Sequence, residues 1–330
     1  MTGPVVAVTR RLPAAVEAAL TRRFTVRPNP DDHQYSEDEL RAALEQADGL
    51  LSTVTDPLTA RTLAAEPLRA RIVANFGVGY DHIDLDAARR RGLVVTNTPG
   101  VLTEDTADLA IALMLSVARR LGEGEREVRA GAWTGWRPTH MLGTRLTGKV
   151  LGVVGFGRIG RAVAHRARHG FGMRILYATR SEPAAAAAAV VASLEAEPRP
   201  LDRLLGESDF VSLHVPAAPE TRHLIDARRL ALMRPGAFLV NTARGGVVDQ
   251  EALADALESG ALGGAGLDVY PAEPHVAARV LAAPNTVLLP HLGSATIETR
   301  TAMGMRALAN LEAFFDGRAP ADEIDQGGDE

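Results

Sequence analysis

Short β-rich runs alternate with amphipathic helical stretches almost from one end of the chain to the other. Residues 5–8 (Val-Val-Ala-Val), 49–51, 71–74, 93–95, 150–154, 174–178, 210–213, 238–240 and 287–289 read as strands, with helical patterns between most of them. Alternation of this kind predicts parallel, doubly wound α/β sheets. A chain of 330 residues is too long for one ordinary core and long enough for two domains. Hydrophobic residues make up 46% but aromatics only 4%, so Ala, Leu and Val carry the apolar load. Such packing suits helices laid on a sheet.

The longest helical pattern of the first half starts at Thr103, with Glu104 and Asp105 in its first turn, and runs to about Leu121. Leu109, Ile111, Ala112, Leu113, Met114 and Leu115 make it more apolar than a surface helix, which predicts burial between layers or subunits. Residues 131–148 hold both tryptophans, Trp133 and Trp136, with Pro138 and several glycines, and read as a long loop. Residues 183–197 are mostly alanine and valine and predict a helix followed by a variable segment.

Charge and composition exclude several classes of function. Net charge is −5, and the densest basic cluster, Arg89-Arg90-Arg91, sits at a predicted helix end where cations complement the carbonyls. That is not the basic face of a nucleic-acid binder. With no cysteine, disulfides, Cys-ligated zinc and a thiol nucleophile are all excluded. The first residues lack the apolar stretch of a signal peptide, and no run is long enough to span a membrane. The expected location is the cytoplasm, with no membrane, nucleic acid or metal involved.

The first sharp motif is Gly155-Phe-Gly157-Arg158-Ile159-Gly160. Alone, G-x-G-x-x-G is a weak signal. Here it follows a predicted strand and opens a predicted helix, the context of a dinucleotide-binding turn. The first glycine permits the tight turn, the second lets a pyrophosphate approach the backbone, and the third lets helix and strand pack closely. The helix N-terminus then offers free N–H groups to the anion.

The end of the next strand distinguishes the cofactors. NAD sites place an acid there for the ribose 2′-hydroxyl. This chain has Thr179-Arg180-Ser181 instead. An arginine flanked by two hydroxyls suits a 2′-phosphate, so the sequence predicts NADP(H) as the preferred cofactor, NAD(H) as a possible one, and Arg180 as the main determinant.

Three further segments are placed just past strand C-termini, where open α/β sheets bind ligands: residues 241–246 with Arg244, 268–274 with Asp268 and Glu273, and 290–294 with His291. Their side chains match the reduction of a small 2-keto acid. His291 can donate the proton to the carbonyl oxygen. Glu273 can hydrogen-bond the other ring nitrogen and keep the donor charged. Arg244 can grip the substrate carboxylate and polarise the carbonyl with its planar fork.

These segments, with Asn75-Phe-Gly-Val-Gly-Tyr-Asp81, make residues 1–318 resemble the D-isomer-specific 2-hydroxyacid dehydrogenase family, most closely its glyoxylate/hydroxypyruvate reductase branch. The resemblance implies Arg244, Glu273 and His291 as the catalytic three, and the backbone amides of Val78 and Gly79 as further binders of the substrate carboxylate. It implies that Asp268 holds the nicotinamide carboxamide and Thr106 sits near the cofactor phosphates. Arg158, Ile159, Thr242, Ala243 and Gly293 complete the implied cofactor contacts. The implied architecture is a flavodoxin-like substrate domain (residues 1–99 with 292–330) and a Rossmann cofactor domain (100–291), with a cleft between them. The implied assembly is a homodimer, in which Trp136 reaches the partner's pocket.

Rival readings are a hydroxyphenylpyruvate-type reductase and a phosphite dehydrogenase of the same fold. A rival of another class is a dinucleotide-sensing co-repressor, which turnover would argue against. A regulated 3-phosphoglycerate dehydrogenase fits less well, because the chain lacks the acid at position 179, and Glu273 sets the chain apart from formate dehydrogenases.

Overall fold

Strands separated by helices in sequence come together in two sheets, and every paired neighbour runs parallel. The computed structural model describes residues 3–180 and 185–324. Contacts divide the chain into two units: residues up to Leu102 with those from Ala295 onward, and Thr103–Ser294.

The first unit comprises β1 (Val5–Val8), α1 (Ala14–Arg23), β2 (Thr25–Arg27), α2 (Glu37–Gln46), β3 (Gly49–Thr53), β4 (Ile72–Phe76), α3 (Leu85–Arg90) and β5 (Val94–Thr96). Its sheet has the order β2-β1-β3-β4-β5, the flavodoxin-like arrangement. β4 is buried at every position, as a parallel strand covered on both faces must be. One face packs Leu50, Val73 and Val95 against Leu40 and Leu44 of α2 and Ala87 and Ala88 of α3. Ser36 starts α2 with a capping box, its hydroxyl accepting from the Glu39 amide. The other helices of this unit, α1 and the one at Ile297–Phe315 near the C-terminus (α12 below), pack on each other.

The second unit runs α4 (Thr103–Ala118), α5 (Leu121–Arg129), β6 (Val150–Val154), α6 (Arg158–Phe171), β7 (Arg174–Ala178), α7 (Ala185–Ser193), β8 (Glu197–Pro198), α8 (Leu201–Glu207) and β9 (Phe210–Leu213). It continues with α9 (Ala227–Leu232), β10 (Phe238–Asn241), α10 (Gln250–Glu258), β11 (Gly264–Leu267), α11 (Ala278–Ala282) and β12 (Thr286–Leu288), and α12 (Ile297–Phe315) then returns the chain to the first unit. The sheet order is β12-β11-β10-β9-β6-β7-β8, a Rossmann order with one added strand. Strand order reverses between β6 and β9, the switch point at which such sheets bind ligands. Ala110, Leu113, Met114 and Val117 of α4 join Val163 and Ala164 of α6 on one face. Leu204, Leu230, Leu253 and Val280 from α8 to α11 cover the other.

Two features depart from the sequence expectation. The helix expected over residues 103–121 ends at Ala118, because Arg120 adopts a left-handed backbone (φ 55°) and the chain restarts as α5 at Leu121. β2 and β8 form where no strand is expected, and the strand expected to end before Asp268 is β11, although its residues carry no strand pattern. β11 is Gly-Ala-Gly-Leu, with no β-branched residue. Its glycines answer to a tertiary demand: a Cβ on Gly266 would lie 3.0 Å from the Leu113 side chain, and one on Gly264 would lie 2.6 Å from Val117. Among the described residues, no helix is long and apolar enough to cross a membrane.

Candidate active site

β6 leads straight into the glycine turn. Gly155 has φ 92°, and a Cβ there would sit 2.5 Å from the His214 carbonyl oxygen at the end of β9, so only glycine fits. A Cβ on Gly160 would lie 2.1 Å from the Gly155 carbonyl oxygen and 3.0 Å from Val153. This glycine sets how closely α6 packs on β6. Beside Gly157, by contrast, the space is open, and Gly157 and Arg158 are exposed where α6 begins, with Ile159 half-buried. The turn therefore presents bare backbone and first-turn amides to solvent, the surface a pyrophosphate needs.

Thr179 and Arg180 follow β7 and are exposed; Ser181 lies outside the described residues. Thr106, in the first turn of α4, is buried, and its hydroxyl donates to the Gly293 carbonyl at 3.0 Å.

The ends of β10, β11 and β12 carry the ionisable groups. After β10, the Asn241 side chain folds the turn by accepting from the Ala243 amide (3.0 Å) and donating to the Arg244 carbonyl (2.9 Å). The Thr242 hydroxyl oxygen is buried and has no partner among the described residues. Such an orphaned donor, together with the open glycine turn, fits a bound dinucleotide.

After β11, Asp268 is fully buried. Its two carboxylate oxygens accept from the amides of Leu292 (2.6 Å) and Gly293 (2.8 Å), while its carbonyl accepts from the His291 amide (3.0 Å). Burial pushes this carboxyl above the usual range, and the two amide bonds work against that rise. These contacts clamp a turn in which His291 itself holds a left-handed backbone, φ 57°. A non-glycine residue in that region stores strain, which the surrounding bonds must outweigh.

The His291 Nδ1 lies 2.8 Å from one oxygen of Glu273, whose other oxygen accepts from the Tyr270 amide at 2.9 Å. Burial pushes the Glu273 carboxyl up. The bonds from His291 and Tyr270, with the charges of His291 and Arg244, outweigh that and hold it below the usual carboxylate range. Glu273 and His291 are thus brought together, with the Arg244 charge acting on the same carboxylate. The Nε2 of His291 is the ring nitrogen turned away from that carboxylate.

In the first unit, half-buried Val78 and Gly79 lie in the turn after β4. A Cβ on Gly77 would lie 2.8 Å from a Val54 methyl, so a side chain there would have to displace Val54. Trp136 is 81% exposed in the loop that precedes β6. Tyr270 and Asn241, which sequence reasoning passed over, hold the Glu273 carboxylate and the turn that carries Arg244. A polar residue with both donor and acceptor at a strand end, just before an Ala- or Gly-containing turn, was the available signal for Asn241.

Residues 111–293 match the family model described as "D-isomer specific 2-hydroxyacid dehydrogenase, NAD binding domain". The glyoxylate reductase of Thermococcus onnurineus is 45% identical over 321 residues, which cover 96% of this chain and 94% of the relative. A protein of known structure from Thermus thermophilus is 44% identical with a TM-score of 0.88, covering 97% of this chain and 99% of its own. The NADPH-dependent glyoxylate/hydroxypyruvate reductase of Sinorhizobium meliloti, solved with NADP and malonate, is 34% identical with a TM-score of 0.86 and covers 98% of this chain and 97% of its own.

Proposed function

Because the chain belongs to the D-isomer specific 2-hydroxyacid dehydrogenase family and is an NAD(P)-dependent oxidoreductase, we propose that it is an NADPH-preferring reductase that converts glyoxylate to glycolate and hydroxypyruvate to D-glycerate. The observation that carries this reading is the 2.8 Å pair of His291 and Glu273 at adjacent strand ends, with Arg244 acting on the same carboxylate.

When bound, the reduced dinucleotide supplies the hydride. The chain's own groups then have three tasks. His291 donates the proton from Nε2 to the carbonyl oxygen as that oxygen gains charge. Glu273 holds Nδ1 and stabilises the charged ring. Arg244 binds the substrate carboxylate and polarises the carbonyl, and the amides of Val78 and Gly79 bind the same carboxylate.

Gly155, Gly157, Arg158, Ile159 and Gly160 would hold the pyrophosphate, with Thr106 near the phosphates and Thr242, Ala243, Asp268 and Gly293 toward the nicotinamide. Thr179, Arg180 and Ser181 would hold the 2′-phosphate. Supporting the NADP(H) preference are the lack of an acid at 179–180, where β7 ends, and the likeness to an NADPH-dependent relative. In this reading residues 100–291 bind the dinucleotide, and residues 1–99 with 292–330 bind the substrate. A cytoplasmic homodimer completes it, supported by the exposed Leu121, Val128, Trp133, Trp136 and Leu142 on and after α5.

The test is the initial rate of cofactor oxidation with glyoxylate and with hydroxypyruvate, each against NADPH and NADH. Faster turnover with NADPH is expected. Turnover with NADH alone would overturn the cofactor preference, and no turnover with either acid would overturn the substrate assignment.

A further inference from the structure

The turn after β4 has its carbonyls tied down from behind. The Asn75 amide nitrogen, fully buried at the end of β4, donates to the carbonyls of Gly77 (3.1 Å) and Gly79 (2.9 Å). The Asn97 amide nitrogen, just past β5, donates to the carbonyl between them, Val78 (2.9 Å). The Thr98 amide adds a second donor to Gly77 (3.0 Å). Three consecutive carbonyls are thus held by donors from two strand ends.

A trans peptide unit is planar, with its C=O and N–H pointing in opposite directions. Holding the Gly77 carbonyl therefore aims the Val78 amide, holding the Val78 carbonyl aims the Gly79 amide, and holding the Gly79 carbonyl aims the Tyr80 amide. Among the described residues, no protein group accepts from the Val78 or Gly79 amide. Successive amides turned to one side form a nest for an anion.

The two asparagines are themselves fixed. Both hydrogens of the Asn75 amide are used, so its oxygen must accept, and it lies 3.2 Å from His82 Nε2, which sets that nitrogen as the protonated one. The Asn97 backbone N–H donates to the Asp322 backbone carbonyl (3.2 Å), and the Asn97 backbone carbonyl accepts from the Asn310 side chain (3.3 Å). Asp322 is gripped in turn by both nitrogens of an Arg306 fork at 2.7 and 2.8 Å.

We propose that Asn75 and Asn97 are positioning residues that turn the carbonyls of the 77–79 segment away and so fix its amides as the cradle for the substrate carboxylate. This rests on the reading of Val78 and Gly79 given above. Asn97 is the more telling of the two, because its side chain is the one donor to the Val78 carbonyl among the described residues. Neither asparagine touches the substrate; each acts through the peptide plane it holds.

The test removes the donors without adding charge. Asn97→Ala and Asn75→Ser are compared with the unaltered enzyme for glyoxylate KM, kcat and NADPH KM. The inhibition constant of oxamate, which presents a carboxylate beside a carbonyl and is not reduced, is measured alongside. Glyoxylate KM and the oxamate constant should rise together by about ten- to a hundredfold. NADPH KM should stay within about twofold and kcat should change far less than KM, as loss of ground-state binding requires. Unchanged glyoxylate and oxamate constants in folded variants would overturn the proposal, as would an equal rise in NADPH KM. If buried Asn75 tolerates no change, half-buried Asn97 decides the matter. An unaltered enzyme that reduces no 2-keto acid and ignores oxamate would instead remove the reading of the turn on which the proposal rests.

Discussion

Replacing Glu273 by glutamine keeps the length of the side chain and removes its charge. Each carboxylate oxygen now serves one donor: the Tyr270 amide at 2.9 Å and the His291 Nδ1 at 2.8 Å. Glutamine has one oxygen and one amino group, so it can satisfy only one of them. If the oxygen stays with Tyr270, the amino group faces Nδ1, which must then be bare, and the ring is held neutral with its single proton on Nε2. A neutral imidazole is a far weaker acid than an imidazolium. A hydrogen bond to a charged group contributes about 1.5–3 kcal/mol. The two side chains are 33% and 32% exposed, so solvent screening reduces that figure. A remainder of about 1–2 kcal/mol corresponds to a roughly 5- to 30-fold loss of kcat.

The pH dependence has a defined sign. The Glu273 carboxyl is depressed in the folded protein, so the stability it contributes is complete above the ordinary carboxylate range and is lost as pH falls through the depressed value. Around neutrality the pair is therefore intact, and glutamine removes it. The assay is kcat for glyoxylate reduction at saturating NADPH across about pH 6 to 8, above the range in which a carboxylate titrates. The loss should persist across that range, because Glu273 is ionised throughout it and glutamine carries no charge at any pH. Unchanged kcat across that range would refute the role of the carboxylate, and so would a matching loss of NADPH affinity.

Asp268→Asn leaves one acceptor oxygen for two amides, so the turn that carries His291 should loosen. We expect kcat to fall by about tenfold or more, with the melting temperature moving less than about 5 °C because burial of a charge is relieved at the same time. Gly160→Ala drives a methyl into the Gly155 carbonyl. It should lower stability by about 1–3 kcal/mol in denaturant melts and weaken cofactor binding in a fluorescence titration. Arg180→Ala should raise NADPH KM by about tenfold while leaving NADH KM within about twofold, and equal weakening would refute the 2′-phosphate assignment.

The sheets and the chemistry-bearing loops were legible in the sequence because both signals are local. A run such as Val150–Val154 followed by three spaced glycines carries its own periodicity and turn chemistry. What stayed hidden depends on contacts between distant residues. β11 lacks branched residues because α4 lies on its glycines. The break falls at Arg120 itself, before Gly122, on a residue that is neither glycine nor proline. The left-handed backbone of His291 follows from bonds to Asp268, 23 positions earlier in the chain. Asn75 stood inside a motif that was read for its glycines. Its part in holding two carbonyls appears only when the peptide planes of the turn are traced.

The first unit is built from both ends of the chain, and that orders its assembly during synthesis. α12 packs on β4 and α1, with Gly304 allowing Val16 to approach, Phe315 meeting Phe24 at 5.6 Å, and Arg71 lying over the rings of Phe314 and Phe315. A ribosome that has finished Leu102 has therefore released a sheet that lacks one of its two helical covers. At roughly 5–20 residues per second, the cover follows some ten to forty seconds later. Thr103–Ser294 is continuous and emerges within that interval, so it can fold first, while the apolar face around Leu20 and Ile72 waits for its cover. For that period the nascent chain offers a chaperone the very surface that the finished enzyme hides.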